Sequence, residues 1–73
     1  MTSYFALLDK NGRIEELARF HGDAPPQLFV GGDWVFKPSL YDAYTDGYFR
    51  DVSENEAREF IAKSESITVK SAI

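Results

Sequence analysis

The chain has 73 residues, a formal net charge of −4 and no cysteine. A chain this short predicts one domain, over residues 1–73, and without cysteine it has neither disulfides nor thiolate metal sites. The negative charge argues against direct nucleic-acid binding and against attraction to anionic membranes. No apolar run is long enough to span a membrane, and the first residues lack the pattern of a signal peptide, so we expect a cytoplasmic protein.

The first predicted element is a β-hairpin closed by the turn DKNG. Asp9 at its first position and Gly12 at its last suit a type I turn that ends in a left-handed residue. The arm before the turn, residues 3–8, is apolar and aromatic. The arm after it, residues 13–20, fits both a strand and a helical face. We favour a strand with a bulge near Glu16, because so well-formed a turn implies a returning partner strand.

The segment QLFVGGDWVF, residues 27–36, predicts a second hairpin. A Gly31-Gly32 pair suits a type I′ turn, which needs positive φ at both central residues. Such a turn sets the register and leaves one aromatic and one aliphatic face. The aromatic face consists of Phe29, Trp34 and Phe36. The aliphatic face consists of Leu28, Val30 and Val35. We expect the aromatic face in the core, with Trp34 as its anchor, and the aliphatic face as a flank that something must cover.

Two helices and a final strand are predicted to follow. Ser39 suits the N-cap of a short helix and Gly47 suits its end. Ser53 and Glu56 form a capping box for a longer helix. The alternating, β-branched residues 66–70 predict a C-terminal strand. The elements together predict an α+β domain, a small antiparallel sheet of two hairpins plus a C-terminal strand, with two helices packed on one face.

The sequence lacks the residue patterns of common catalytic, cofactor and metal sites. His21 is the only histidine, so one chain cannot supply a two-histidine metal site. No nucleophile elbow, phosphate loop or dinucleotide fingerprint is present. Residues 42–53 resemble a calcium loop in part but lack ligands at its third and twelfth positions. We therefore expect no catalytic residues, no cofactor and no metal.

One cluster predicts a binding surface between residues 41 and 49. Aromatic and acidic residues are interspersed there, and tyrosine is common at binding hot spots because it is large, stiff and amphipathic. The alternative is that these rings pack beneath the helices with only their hydroxyls in water. The predicted partner-binding residues are Tyr41, Asp42, Tyr44, Asp46, Tyr48 and Phe49.

Three short motifs follow one another along the chain. They are GDWV at residues 32–35, PSL at residues 38–40 and VSENEA at residues 52–57. In these motifs the chain resembles a group of short uncharacterised proteins from actinobacteria and their phages. The resemblance covers most of the chain and implies a bacterial or phage origin, but it implies no activity.

We predict a small non-enzymatic protein-interaction module, an inhibitor or an adaptor, that binds an unknown protein partner and no membrane. Two other functions stay open. One is an accessory enzyme subunit that contributes a residue to a shared site, which a deep pocket with a buried acidic residue would favour. The other is an acidic mimic of nucleic acid, which needs carboxylates along one face. The predicted C-terminal strand, if it lies at the edge of the sheet, could pair with a second copy to form a homodimer. It could also pair with a strand from another protein.

Overall fold

In a computed structural model of the protein, five strands form one antiparallel sheet accompanied by two helices. The backbone is described for residues 1–72 and the side chains for residues 1–64. The strands are β1 (Thr2–Leu8), β2 (Ile14–His21), β3 (Gln27–Val30), β4 (Asp33–Phe36) and β5 (Arg50–Val52). The helices are α1 (Leu40–Thr45) and α2 (Glu54–Ala72). The strand order is β4-β3-β2-β1-β5, which confirms the predicted α+β class.

The side chain of Asp9 organises the turn between β1 and β2. Its carboxylate accepts hydrogen bonds from the backbone N–H groups of Asn11 at 2.8 Å and Arg13 at 3.0 Å. The backbone N–H of Gly12 donates to the Asp9 carbonyl at 3.0 Å, and Gly12 has a φ of 81°. The predicted turn, with its left-handed glycine, is confirmed.

The arm after this turn is a strand with a bulge, as favoured from the sequence. Leu7 pairs with Glu16 whereas Leu8 pairs with Ile14, so β2 carries one extra residue at this point. The extra residue shifts the alternation of side chains along β2. As a result Ile14 and Leu17 pack in the same cluster, which a regular alternation would not allow.

The second hairpin has the predicted turn and register. Gly31 and Gly32 have φ values of 58° and 92°, as a type I′ turn requires. The cross-strand pairs are Val30 with Asp33, Phe29 with Trp34, Leu28 with Val35 and Gln27 with Phe36.

The sheet carries a hydrophobic cluster on each face. The first, here the α1-side cluster, is formed by Phe5, Ala18, Leu28 and Leu40, with Phe20, Tyr44 and Phe49 against it. The second, the α2-side cluster, is formed by Ala6, Leu17 and Ala57, with partners that include Phe29, Trp34, Phe60 and Ile61. Adjacent residues of a strand point to opposite faces, and among the described side chains each cluster includes residues of one helix only. The prediction that both helices pack on one face is therefore wrong, because both faces of β1 and β2 are apolar and each needs a cover.

The aromatic face of the second hairpin enters the core only in part. Phe29 and Trp34 pack in the α2-side cluster with ring centres 5.2 Å apart, but Phe36 remains 59% exposed. Helix α2 packs against β1 and β2, and β4 lies at the edge of the sheet. The expected anchor Trp34 is therefore half-buried, and Phe36 is not a core residue.

The aliphatic face of this hairpin also divides between core and surface. Leu28 is buried in the α1-side cluster, so α1 supplies the cover that this residue was expected to need. Val30 and Val35 are exposed. Burial decreases with distance from the middle of the sheet. Leu28 pairs with Ala18 of the inner strand β2, whereas Val35 lies on the edge strand β4.

The predicted C-terminal strand is wrong, because residues 66–70 belong to α2. The fifth strand is instead β5, which pairs with β1 through Tyr4–Val52, Phe5–Asp51 and Ala6–Arg50. Two physical reasons favour the helix. No Gly or Pro follows Ser53 to stop a helix once it has started, and β5 already pairs with the outer edge of β1.

The capping box at the start of α2 is formed in full. The Ser53 hydroxyl accepts from the Glu56 backbone N–H at 3.1 Å, and the Ser53 backbone N–H donates to the Glu56 carboxylate at 3.1 Å. Val52 and Ala57, which flank this cap as a hydrophobic staple does, both lie in the α2-side cluster. The sequence therefore identifies this helix start correctly.

Helix α1 starts at the predicted place by a different mechanism. Ser39 is its N-cap residue, but the hydroxyl makes no capping hydrogen bond. The backbone N–H groups of Leu40 and Tyr41 bond to the carbonyls of Lys37 and Pro38 instead, at 3.0 and 3.1 Å. The helix begins as a continuation of the turn that leaves β4.

We expect the two serine caps to respond differently to mutation. Ser53→Ala should lower the free energy of unfolding by about 1 kcal/mol and Ser53→Gly by only a few tenths of that. Ser39→Ala is the matched control and should have little effect, because that hydroxyl makes no capping bond. Urea denaturation checks all three variants; equal losses at both serines would contradict the assigned caps.

Two phenylalanines test the division between core and edge. Phe5 is 1% exposed, so Phe5→Ala should cost about 3–5 kcal/mol, close to the whole stability of a small domain. Phe36→Ala should change stability by about 0.5 kcal/mol or less. Thermal unfolding measures both, with Phe5→Leu as a milder variant should the alanine protein not fold. A large loss from Phe36→Ala would place that ring in the core.

Candidate functional site

The six predicted partner-binding residues lie on α1 and on the link from α1 to β5. We call them the tyrosine patch, comprising Tyr41, Asp42, Tyr44, Asp46, Tyr48 and Phe49. The link reverses direction at Gly47, which has a φ of 86°. The backbone N–H of Gly47 donates to the Tyr44 carbonyl, and the backbone N–H of Tyr48 donates to the Ala43 carbonyl, each at 3.1 Å. This pair of bonds is a Schellman motif, so the predicted stop at Gly47 is correct.

Two residues of the tyrosine patch serve the core. The Tyr44 ring packs edge-on against Phe5 and Phe20, with ring centres 4.9 and 5.4 Å away. Phe49 packs edge-on against Phe5 at 5.4 Å. Edge-to-face pairs at these distances are favourable beyond the area they bury. For these two rings the alternative prediction is correct, and they pack beneath α1.

The other four residues of the tyrosine patch lie at the surface. Tyr41 is 58% exposed and Tyr48 is 68% exposed, and Asp42 and Asp46 are exposed as well. Tyr41 keeps one contact with the core, an edge-on approach to Phe20 with ring centres 6.2 Å apart. The structure thus separates the patch into two partly buried rings that pack against the core and four residues that face water.

The Tyr44 hydroxyl is held by a carboxylate that the sequence analysis did not include. It donates a hydrogen bond to Asp51 Oδ1 at 2.9 Å. That bond raises the pKa of Tyr44 above its ordinary value, and the negative charge of Asp51 and partial desolvation of the ring act in the same direction. The bond ties α1 to β5. The pairing of β5 with β1 brings Asp51 into place, and no sequence pattern predicted a strand at residues 50–52.

A second group of interacting side chains crosses the sheet near β4. Arg19 Nε donates to Gln27 Oε1 at 2.7 Å, and the guanidinium carbon lies 4.2 Å from the centre of the Trp34 ring. Arginine over tryptophan is a cation–π contact. The sequence analysis missed this group, although Arg19 and Gln27 become neighbours as soon as β2 is paired with β3.

Two open cavities lie on the surface of the described residues. One, of about 600 Å³, lies between the first turn and α2 and is lined by residues that include Arg13, Glu59 and Phe60. The other, of about 410 Å³, includes Tyr44 and Asp51 in its wall. Among the described side chains the buried polar one is Gln27, so neither cavity has the buried acidic residue that would favour an accessory enzyme subunit.

Within the part of the chain whose side chains are described, no group of three or more His, Asp or Glu residues is placed to hold a metal ion. His21 is the last residue of β2, and its Nδ1 lies 2.7 Å from the Thr2 hydroxyl. Over the same described residues, neither helix is long and apolar enough to cross a membrane.

Comparisons of the chain with protein-family models, with curated proteins and with solved structures gave no match. The resemblance to short actinobacterial and phage proteins therefore stays a prediction. Four of the six predicted partner-binding residues are exposed, and their binding role likewise stays a prediction.

The Tyr44–Asp51 bond predicts a pH dependence of stability. The folded pKa of Tyr44 lies above the unfolded value, so the bond contributes stability that is fully present below about pH 10. That contribution is lost as the pH rises through the folded pKa. The difference in unfolding free energy between wild type and Tyr44→Phe should therefore be constant near neutral pH and shrink in alkali.

NMR titration of the tyrosine rings tests the cause of the shift. Asp51→Asn should lower the pKa of Tyr44, because it removes the negative charge and replaces a strong acceptor with a weaker one. Tyr48→Phe is the matched control, since that ring is exposed, and it should leave the titration of Tyr44 as in wild type. An unchanged Tyr44 pKa in Asp51→Asn would refute the assignment.

Proposed function

We propose that the chain is a small non-enzymatic protein-interaction module that binds its partner through the exposed residues of the tyrosine patch. The observation that carries the proposal is the exposure of Tyr41 and Tyr48, at 58% and 68%, beside two neighbours that are firmly packed. Large rings left in water on an ordered support are typical of binding hot spots.

The packed residues around Tyr41 and Tyr48 limit the conformational entropy that is lost on binding. The rings of Tyr44 and Phe49 pack against Phe5. The Schellman hydrogen bonds fix the backbone where it changes direction at Gly47. A tyrosine side chain has few rotatable bonds, so it loses little freedom when it becomes buried at an interface. A preorganised surface of this kind puts more of its contact energy into affinity.

The charges of the patch indicate the kind of partner. Asp42 is exposed on the same short helix as Tyr41, and Asp46 is exposed at the C-cap of that helix. The whole chain carries a net charge of −4. A protein surface with Lys or Arg beside apolar groups would complement this arrangement and would be steered towards it at low salt. We therefore propose a basic, partly apolar protein surface as the partner, with the chain acting as an inhibitor or an adaptor.

A quantitative capture experiment tests the proposal. The wild-type chain and Tyr41→Ala/Tyr48→Ala serve as parallel baits, and proteins whose recovery drops with the variant are purified for direct titration. Each alanine at a hot-spot tyrosine should weaken binding by about fivefold or more. Raising the salt concentration should weaken it further.

Matched variants separate binding from folding. Tyr41→Phe and Tyr48→Phe retain the rings and should retain most of the affinity, whereas Lys10→Ala changes an exposed residue outside the patch and should have no effect. Circular dichroism confirms that every bait is folded. Equal recovery of all proteins by wild type and by the double alanine variant would show that the patch is not the binding surface.

A further inference from the structure

Strand β4 is a free edge of the sheet with apolar groups around it. It is the first strand in the order β4-β3-β2-β1-β5. Val35 is 48% exposed, and Phe36 is more exposed still. An unpaired edge presents backbone N–H and C=O groups that can bind another strand. Such an edge is a protein-binding surface that is independent of the tyrosine patch.

The backbone geometry shows which groups are available. The Lys37 N–H donates to the Pro26 carbonyl at 2.9 Å, so Lys37 faces β3. Hydrogen-bonding groups of successive residues alternate between the two sides of a strand. Asp33 and Val35 therefore face β3 as well, while the N–H and C=O groups of Trp34 and Phe36 point outwards.

The sequence of this edge is complementary to itself in the antiparallel direction. When two copies meet with their Val35 residues opposite one another, Trp34 faces Phe36 of the second copy. In the same register Asp33 faces Lys37, and the two-fold symmetry repeats each pair. All facing residues then lie on the same side of the sheet, as an antiparallel ladder requires.

We propose that this edge joins two copies of the chain through antiparallel pairing of β4 with β4, about a two-fold axis at Val35. The outward N–H and C=O groups of Trp34 and Phe36 form the hydrogen bonds of the new ladder. Asp33 and Lys37 form an ion pair at each end. The partner is a second copy of the same chain, and the two sheets become one continuous sheet of ten strands, five from each copy.

The charges select this register over its neighbours. A shift of two residues in one direction puts Asp33 opposite Val35 and Lys37 opposite Gly31. A shift in the other direction puts Val35 opposite Lys37. Both shifts leave the carboxylate and the ammonium without an opposite charge. Opposite charges that face each other across strands are favourable, and like charges there are destabilising, so the Val35-centred register is the most stable.

The aromatic side chains add to the same pairing. Trp34 packs on one side against Phe29 and is covered by Arg19, while the exposed Phe36 ring has no cover within the described residues. Pairing would place the Phe36 ring of one copy beside the Trp34 ring of the other on the α2-side face. Cross-strand aromatic pairs contribute to the stability of a ladder.

Analytical ultracentrifugation of single charge reversals is the first test. Asp33→Lys puts two ammonium groups opposite each other at both ends of the ladder, and Lys37→Asp does the same with two carboxylates. Each should raise the dissociation constant of the dimer by about tenfold or more. Asp23→Lys and Lys10→Asp are exposed-site controls with the same changes in net charge, and they should dimerise like wild type.

Restoring opposite charges across the two strands is the decisive test. The double variant Asp33→Lys/Lys37→Asp exchanges the two signs within one chain and should dimerise again. Mixing the two single variants should give a heterodimer, because one chain then supplies two cations and the other supplies two anions. Neither result follows from a general effect of charge on association.

The outcomes decide the proposal without ambiguity. Circular dichroism and thermal unfolding at low concentration verify that each variant keeps the fold. Concentration-dependent dimers that the single reversals weaken, and that the double variant and the mixture restore, support it. A wild-type chain that stays monomeric up to about 1 mM, or a dimer insensitive to these charges, overturns it. Tyr41→Ala/Tyr48→Ala should dimerise normally, so this proposal and the proposed function can fail separately.

Discussion

The fold depends on the pairing of β1 with β2, because these two strands supply both hydrophobic clusters. Phe5 and Ala6 are neighbours on β1, and Leu17 and Ala18 are neighbours on β2, and all four are sealed from water. Since neighbours point to opposite faces, each strand needs a cover on both sides. Helix α1 covers one face through Leu40 and α2 covers the other through Ala57. The small side chains of Ala6 and Ala57 allow α2 to approach the sheet closely.

The same constraint explains where apolar groups remain in water. A chain of this length can seal only the centre of its sheet, so the edge strand β4 and the segment around α1 keep exposed rings. These are the two surfaces on which the binding proposals rest. In the proposed function, Tyr41 and Tyr48 bind a basic partner. In the proposed dimer, the backbone of β4 pairs with a second copy of the chain, and an adaptor would need two such independent surfaces.

The sequence predicted a binding role for the tyrosine patch but not which of its rings are exposed. Four of its six residues are exposed, and their role in binding stays a prediction. Which rings are buried depended on how α1 packs on the sheet. Tyr44 and Phe49 contact Phe5, a residue about 40 positions away in sequence. No local pattern contains so large a separation. The Tyr44–Asp51 bond joins residues only 7 positions apart, but it forms because β5 pairs with β1.

The sequence by itself determined the features that depend on neighbouring residues. The turn at Asp9, the Gly31-Gly32 hairpin with its register, the capping box at Ser53 and the stop at Gly47 all form hydrogen bonds within a few residues. The tertiary structure alone decided the rest. It put the helices on opposite faces, left Phe36 in water and chose residues 50–52 over residues 66–70 as the fifth strand. Those choices depend on contacts between distant segments, and a β-branched run forms a strand only where its tertiary surroundings favour one.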